Sequence, residues 1–179
     1  MWTGKKVGLR ALEREDLPLT HKWINTPEIV EYEGHPFPVS MAEENDWFES
    51  VLKNESRKVL VIETLDEGRP IGCIYFDIDW RHRGVKISIT IGELAHQAKG
   101  YGTDALRTAV HHAFEELGLN RASASIFAFN QRSLRAFEKA GFRREGVARQ
   151  CYLWHGAFQD QVMVSILREE YQSQCQPGR

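Results

Sequence analysis

Seven residues, Gln97-Ala98-Lys99-Gly100-Tyr101-Gly102-Thr103, stand between a run of alternating apolar residues and a run with helical apolar spacing. A helix that begins at such a glycine loop leaves its first backbone N–H groups without intrahelical partners. Its dipole adds partial positive charge at the same end. Together these hold phosphate without a dedicated side chain, and Lys99 adds one point charge to the loop. GxxxxGK[ST] is absent, and so is GxGxxG in a βαβ repeat, so neither the P-loop nor the dinucleotide fingerprint applies. The chemistry on offer is the grip of a phosphorylated ligand by a pattern of the form Q-x-x-G-x-G.

Periodicity supplies the elements that carry this loop. Residues 85–91, Val-Lys-Ile-Ser-Ile-Thr-Ile, alternate as a strand does. Behind the loop, Ala105, Leu106, Ala109, Val110, Ala113, Phe114 and Leu117 mark one face of a helix over 103–117, ended by Gly118. A strand at 122–127 leads to a helix over 130–140, with Asn130 as N-cap and Gly141 as C-cap glycine. Upstream come a strand at 7–12, a short helix at 15–24 and a three-proline loop at 25–39. Ser40 then caps a helix running to Lys53, and Glu43 completes the capping box. Residues 58–64 and 70–80 form a hairpin across Asp66-Glu67-Gly68-Arg69. Strands at 142–147, 150–154 and 159–167 close the sheet. Strand runs with helices between some of them make the fold α/β.

The chain of 179 residues fits one domain. A net charge of -2, with no basic block, argues against nucleic acid. No apolar run reaches membrane length, and the amino end lacks the apolar stretch of a signal peptide, so a cytoplasmic protein is expected. Of three cysteines, Cys73 and Cys151 fall in strand-like runs and read as small buried thiols. Cys175 lies in a polar segment, 172–179, that reads as a disordered tail. No Cys/His cluster suggests a metal.

The loop resembles the R/Q-x-x-G-x-G/A signature of the GCN5-related N-acetyltransferases (GNAT). Asn130-Gln131-Arg132-Ser133-Leu134-Arg135-Ala136-Phe137-Glu138-Lys139-Ala140-Gly141-Phe142 resembles the family's N-x-x-S/A-x-x-x-Y-E-K-x-G-F segment. Leu9-Arg10-Ala11-Leu12-Glu13-Arg14-Glu15-Asp16-Leu17 resembles the opening of its ribosomal-protein (RimJ/RimL) and polyamine branch. Tyr152-Leu153-Trp154-His155-Gly156-Ala157-Phe158-Gln159-Asp160 and the residues up to Tyr171 resemble that branch's ending. The resemblance implies a single GNAT domain over 1–171. It also implies a mixed, mostly antiparallel central sheet, splayed at its middle and flanked by helices. It implies acetyl-CoA as cofactor, and a homodimer is compatible with it.

What the resemblance implies for the site is specific. Gln97, Ala98, Lys99, Gly100, Tyr101, Gly102 and Thr103 hold the pyrophosphate. Asn130 bonds the pantetheine arm besides capping its helix, while Ser133 and Arg135 reach phosphates. A backbone N–H on the strand carrying Ile89 and Ile91 polarises the thioester, although both isoleucines are also core residues by alternation. Two positions depart from the family pattern. Lys86 stands where many relatives carry a glutamate base, and Phe137 where they carry a tyrosine that protonates the leaving thiolate. Replacement bases are Glu93, just past the strand, and Glu33 and His35 in the three-proline loop. Glu31, Tyr32, Glu33 and Phe37 are expected around the acceptor.

The implied activity is direct transfer of acetyl to a primary amine in a ternary complex. The acceptor classes are a protein N-terminal amine, a polyamine such as spermidine, an amino sugar or an antibiotic amine. The absent base favours an acceptor of low pKa: an α-amino group near 7.8 costs only about 1 kcal/mol to neutralise at pH 7. The rival from another class is a CoA-binding or sensory module with weak catalysis. A third reading is a module for another phosphorylated nucleotide.

Overall fold

Alternating burial along consecutive segments builds one eight-stranded sheet. The computed structural model describes residues 1–175, with side chains through Ser173. Strands β1 (Trp2–Thr3) and β2 (Val7–Ala11) are followed by helices α1 (Leu17–Ile24), α2 (Pro27–Glu33) and α3 (Met41–Lys53). Then come β3 (Arg57–Thr64), β4 (Pro70–Asp79), β5 (Gly84–Ile91), α4 (Tyr101–Glu115), β6 (Arg121–Phe127), α5 (Gln131–Lys139), β7 (Arg143–Trp154), β8 (Ala157–Leu167) and α6 (Arg168–Cys175). The spatial order is β1-β2-β3-β4-β5-β6-β8-β7. Only β5 and β6 run parallel, so the sheet is mixed and mostly antiparallel.

Each face of the sheet has its own core. Ile71, Ile74, Phe76 and Ile87 pack under Leu106, Val110 and Phe114 of α4 and Leu134 and Phe137 of α5. Val59, Val61 and Cys73 point the other way, against Leu17 and Trp23 of α1 and Phe48 and Val51 of α3. The Arg10 guanidinium forks onto both Asp16 oxygens at 2.7 and 2.8 Å and also reaches Glu63 at 2.8 Å. Burial pushes the Asp16 carboxyl up, but this fork outweighs it and holds the group below its ordinary value. The Leu9–Leu17 motif is thus a structural clamp between β2 and the start of α1.

The splay is explicit in the register. β5 and β6 pair only from Gly84–Arg121 to Lys86–Ser123. Past that point β5 stays with β4 to Ile91, and β6 stays with β8 to Phe127. A cleft opens between them.

Local signals hold at the caps. Ser40 accepts from Glu43 N–H and Glu43 answers to Ser40 N–H at 2.7 Å. Asn130 Oδ1 accepts from Ser133 N–H at 3.1 Å. Several expectations are corrected. The three-proline loop contains helix α2, because Pro27 at the first helical position is compatible with a helix start and Gly34 ends it in the left-handed region (φ 73°). Helix α4 begins two residues early, at Tyr101, after a left-handed Gly100. The strands expected at 142–147 and 150–154 are one strand, irregular between Ala148 and Tyr152, where Gln150 has φ 49°. Cys151 is exposed there rather than buried, since the irregularity turns it outward. The expected tail begins as helix: α6 runs to Cys175, with Glu169 and Glu170 in its first turn and Glu170 accepting from Leu167 N–H. Residues 176–179 and the side chain of Cys175 lie outside the described residues. No helix among the described residues is long and apolar enough to cross a membrane.

Candidate functional site

The alternation of β5 sorts its residues between two chemistries. Ile89 and Ile91 lean toward α4, and a Cβ on Gly102 would lie 3.9 and 3.7 Å from them. Ser88 and Thr90 therefore face the α2 side. Backbone groups alternate in the same way, within the plane of the sheet. The Val85 carbonyl points at β6, where Ser123 Oγ reaches it at 3.4 Å. The two-residue period then turns the N–H and C=O of Ile87, Ile89 and Ile91 toward the cleft. Gln97 Nε2 takes up the Ile91 carbonyl at 2.8 Å, and the backbone of Ile89 meets the open cleft. This is the arrangement of an edge ready to hydrogen-bond an extended amide chain.

The loop behind β5 has the geometry of an anion cradle. Ala98 (φ 59°) and Gly100 (φ 88°) are left-handed. The first backbone bond of α4 runs from Asp104 N–H to the Gly100 carbonyl at 3.0 Å. The N–H groups of Tyr101, Gly102 and Thr103 precede it, at the positive end of a 15-residue helix. Lys6, from the turn between β1 and β2, donates to the Lys99 carbonyl at 3.0 Å and stands 5.6 Å from the Tyr101 ring centre. Asp104 fixes that turn by accepting from the N–H groups of Lys6 and Val7.

A cavity of about 470 Å³ fills the cleft, lined by Ile89, Ile91, Gln97, Ala98, Gly100, Gly102, Thr103, Asn130, Ser133, Arg135 and Phe137. These expected cofactor residues are thus brought together. Lys99 and Tyr101 stand off the wall: the Lys99 carbonyl holds Lys6, and Tyr101 packs against the core. Phe137 is buried and meets Phe142 edge-on, ring centres 4.9 Å apart.

A second cavity, about 520 Å³, lies on the α2–α3 side, lined by Trp23, Glu33, His35, Phe37, Glu43, Glu44, Trp47, Tyr75, Asp77 and Thr90 among others. Ile29, Glu33, Ser88 and Thr90 line both cavities. The two cavities therefore meet at a seam formed by these four residues. The Thr90 hydroxyl donates to Glu33 there. Burial pushes the Glu33 carboxyl above its ordinary value, partly offset by Thr90 and by the charge of His35. A carboxylate of raised pKa at such a seam is suited to take a proton from an amine.

Other expected site residues are elsewhere. Glu93 faces neither cavity wall. It accepts from Trp23 Nε1 at 2.9 Å and Lys22 Nζ at 3.0 Å, with Arg69 at 3.4 Å. The indole bond and then the Lys22 charge hold its carboxyl below the ordinary range, the wrong direction for a base. Glu31 pairs with His155 of the β7–β8 turn at 2.9 Å. Tyr32 lines the cleft between β5 and β6 and not the second cavity, beneath the Arg132 guanidinium and tilted against Phe129. Lys86, an exposed residue of β5, is not among the lining residues of either cavity.

Three residues at this site were not singled out from the sequence. Lys6 sits at the glycine loop before α4. Arg132 bonds Gln97 Oε1, and so ties α5 to that loop. Tyr152 lines the cleft and donates to the Gly34 carbonyl at 2.8 Å, pinning the end of α2 that carries Glu33. Arg132 and Tyr152 lie inside quoted motifs, but nothing local gives their partners.

Comparison with known proteins agrees with this geometry. An acetyltransferase (GNAT) domain model matches residues 6–143. The spermidine N(1)-acetyltransferase of Escherichia coli (strain K12) is 25% identical over 172 residues, 96% of this chain and 91% of that protein. The probable N-acetyltransferase YjcK of Bacillus subtilis (strain 168) is 34% identical over 127 residues, 69% of this chain and 68% of that one. Among solved structures, the spermidine N-acetyltransferase of Vibrio cholerae in complex with CoA and spermine matches with a TM-score of 0.86 at 26% identity, covering 93% of this chain and 98% of that chain.

Proposed function

The chain belongs to the acetyltransferase (GNAT) family, has that family's fold and is an acetyl-CoA-dependent N-acetyltransferase; we propose that its acceptor is a linear aliphatic polyamine. The observation that carries the reading is the acceptor-side cavity, which meets the cofactor cleft at Glu33 and is walled by carboxylates and aromatic rings. Negative charge and ring faces both attract ammonium groups. The similar enzymes whose names specify spermidine support the same acceptor class.

Acetyl-CoA supplies a thioester-activated acetyl group. The residues that fit it are the N–H groups at the start of α4 with Lys6 for the pyrophosphate, and the free edge of β5 at Ile89 for the pantetheine amides. Asn130, Arg132 and Arg135 border the same cleft. Glu33 takes the proton of the bound ammonium onto its carboxylate, so the amine attacks neutral. With a base at Glu33, Lys86 in place of the glutamate of many relatives no longer favours a low-pKa acceptor. The same reading keeps the enzyme in the cytoplasm.

A second reading, acetylation of a protein N-terminus as in the ribosomal-protein branch, draws on the likeness of residues 9–17 and 152–160. An amine panel decides between them. The full chain is given acetyl-CoA with spermidine, spermine, diaminobutane, an aminoglycoside and a peptide with a free N-terminus, and products are identified by mass. We expect kcat/KM for spermidine to exceed that for the peptide by about tenfold or more, a difference of about 1.4 kcal/mol. Preference for the peptide overturns the polyamine acceptor.

A further inference from the structure

Four carboxylates line the acceptor cavity: Glu33, Glu43, Glu44 and Asp77. Three have partners. Thr90 donates to Glu33, Ser40 donates to Glu43 in the capping box, and Asp77 lies 3.7 Å from the Arg57 guanidinium. Glu44 differs: among the described residues no hydrogen-bond donor or cation pairs with its carboxylate. Yet Glu44 is 5% exposed, and what surface it keeps lines the cavity.

Its position sharpens the anomaly. Glu44, Phe48 and Val51 are the buried residues of α3, spaced i, i+4 and i+7 along the inward face. The pattern of an amphipathic helix calls for an apolar residue there. A carboxylate on the buried face of a helix with no donor or cation to pair it is costly, and a position that breaks its local rule without compensation is where function is expected. Trp23, Trp47 and Tyr75 line the same cavity, and ring faces favour a cation beside the carboxylate. The charge of Glu44 is already felt nearby: the Tyr75 phenol and the Cys73 thiol are pushed up by burial first and in part by Glu44.

We infer that Glu44 holds the second ammonium group of the acceptor and thereby selects diamines and polyamines over monoamines. The inference rests on the polyamine reading and names the residue that enforces it. Glu33 borders both cavities, whereas Glu44 borders only the acceptor side. A linear acceptor with its reacting amine at Glu33 therefore carries its far ammonium into the cavity toward Glu44. One carboxylate takes a proton and the other holds a charge that never reacts.

The test compares the full chain with Glu44→Gln and Glu44→Met, using diaminobutane and butylamine at saturating acetyl-CoA. The kcat/KM ratio of diamine to monoamine should fall by about 10- to 100-fold in both variants, through KM, as expected for loss of one charge-assisted contact. Both variants should melt above the unsubstituted chain when no amine is present, because an unpaired buried charge is gone. The acetyl-CoA-induced thermal shift is the control for an intact cofactor cleft. A ratio that survives both substitutions overturns the assignment while leaving the polyamine reading standing. Lower melting temperatures in both variants mean that Glu44 has a structural partner, and also overturn it. An unsubstituted chain that takes neither amine but acetylates a peptide N-terminus removes the polyamine reading and this inference together.

Discussion

The Thr90 hydroxyl donates to the Glu33 carboxylate, tying β5 to the last turn of α2 at the wall both cavities share. This one contact joins the strand that presents its edge to the cleft with the residue we propose as the acceptor's base. The need for a base there is large. A lysine-type ammonium of pKa near 10.4 leaves about one molecule in 2,500 neutral at pH 7, a cost of about 4.6 kcal/mol.

Glu33→Gln should therefore lower kcat on an aliphatic amine by about 10²- to 10⁴-fold, with acetyl-CoA affinity preserved. In the unsubstituted enzyme kcat/KM should rise with pH through the raised Glu33 pKa, because below it the carboxyl keeps its own proton. The variant should lack that limb. Stability moves the opposite way. The folded chain holds the Glu33 proton to a higher pH than the unfolded chain does, so this group's contribution is full below the unfolded pKa and declines as pH rises through the folded one. Melting curves across the acid-to-neutral range should show that decline flattened in Glu33→Gln. Unchanged turnover in the variant would exclude Glu33 from the chemistry.

Glu93 should behave as a structural carboxylate. Its side chain is 14% exposed and holds Trp23, Lys22 and Arg69 together. The Trp23 ring lies so close to Gly92 that a Cβ there would come within 2.2 Å of it. Glu93→Gln should cost about 1–3 kcal/mol of stability and change kcat by less than tenfold. Because its folded pKa is lowered, Glu93 stabilises above the unfolded carboxylate pKa, and the benefit is lost as pH falls through the folded value. A large fall in kcat with unchanged melting would restore it as a catalytic candidate.

Gly100 tests the phosphate grip. It is left-handed at φ 88°, and a Cβ there would lie 3.7 Å from Lys6 Nζ. In Gly100→Asp the new carboxylate would occupy the Lys6 ammonium and repel phosphate from the start of α4. Acetyl-CoA at a hundred times its Kd should stabilise the unsubstituted chain by about 2.7 kcal/mol. The variant should lose most of that gain at the same concentration. Full retention would move the pyrophosphate elsewhere.

Features carried by neighbours in the chain were legible; features carried by distant pairs were not. The Ser40 and Asn130 caps, the β5 alternation and the glycine loop each depend on a few consecutive residues. Lys6 meets Lys99 across 93 positions, Thr90 meets Glu33 across 57, and Tyr152 meets Gly34 across 118. Such pairings follow from sheet order and register, which no local pattern contains. For the same reason Glu33 and Glu93 looked alike as candidate bases. As the sequence reads, both are carboxylates outside the regular elements, and only packing surrounds one with a cavity wall and the other with two cations. Helix α2 was hidden in a three-proline segment that reads as loop, until Pro27 is seen at a first helical position and Pro36 and Pro38 beyond the helix end.

Phe137 tests the proposed departure of the thiolate without a tyrosine acid. It is 2% exposed in the protein, lies against Phe142 and contributes to the wall of the cofactor cleft. Its ring cannot donate a proton. Tyr152, a phenol on the same wall, already donates to the Gly34 carbonyl at 2.8 Å, so its proton is engaged in holding α2. A thiol of pKa near 8.5 makes protonation of the leaving sulfur at pH 7 worth only about 2 kcal/mol, which a well-oriented attack can do without. Phe137→Tyr should therefore keep acetyl-CoA binding and raise kcat by about 10²-fold at most. Phe137→Leu removes no chemical group. It should lose about 1 kcal/mol of packing and retain much of its turnover. Tyr152→Phe separates the roles further: loss of the α2 tether should disturb Glu33 and weaken its pH limb while acetyl-CoA affinity holds. Should Phe137→Leu fold, bind acetyl-CoA normally and still lose more than about a hundredfold in kcat, the ring has a part in thiolate departure that packing alone does not explain.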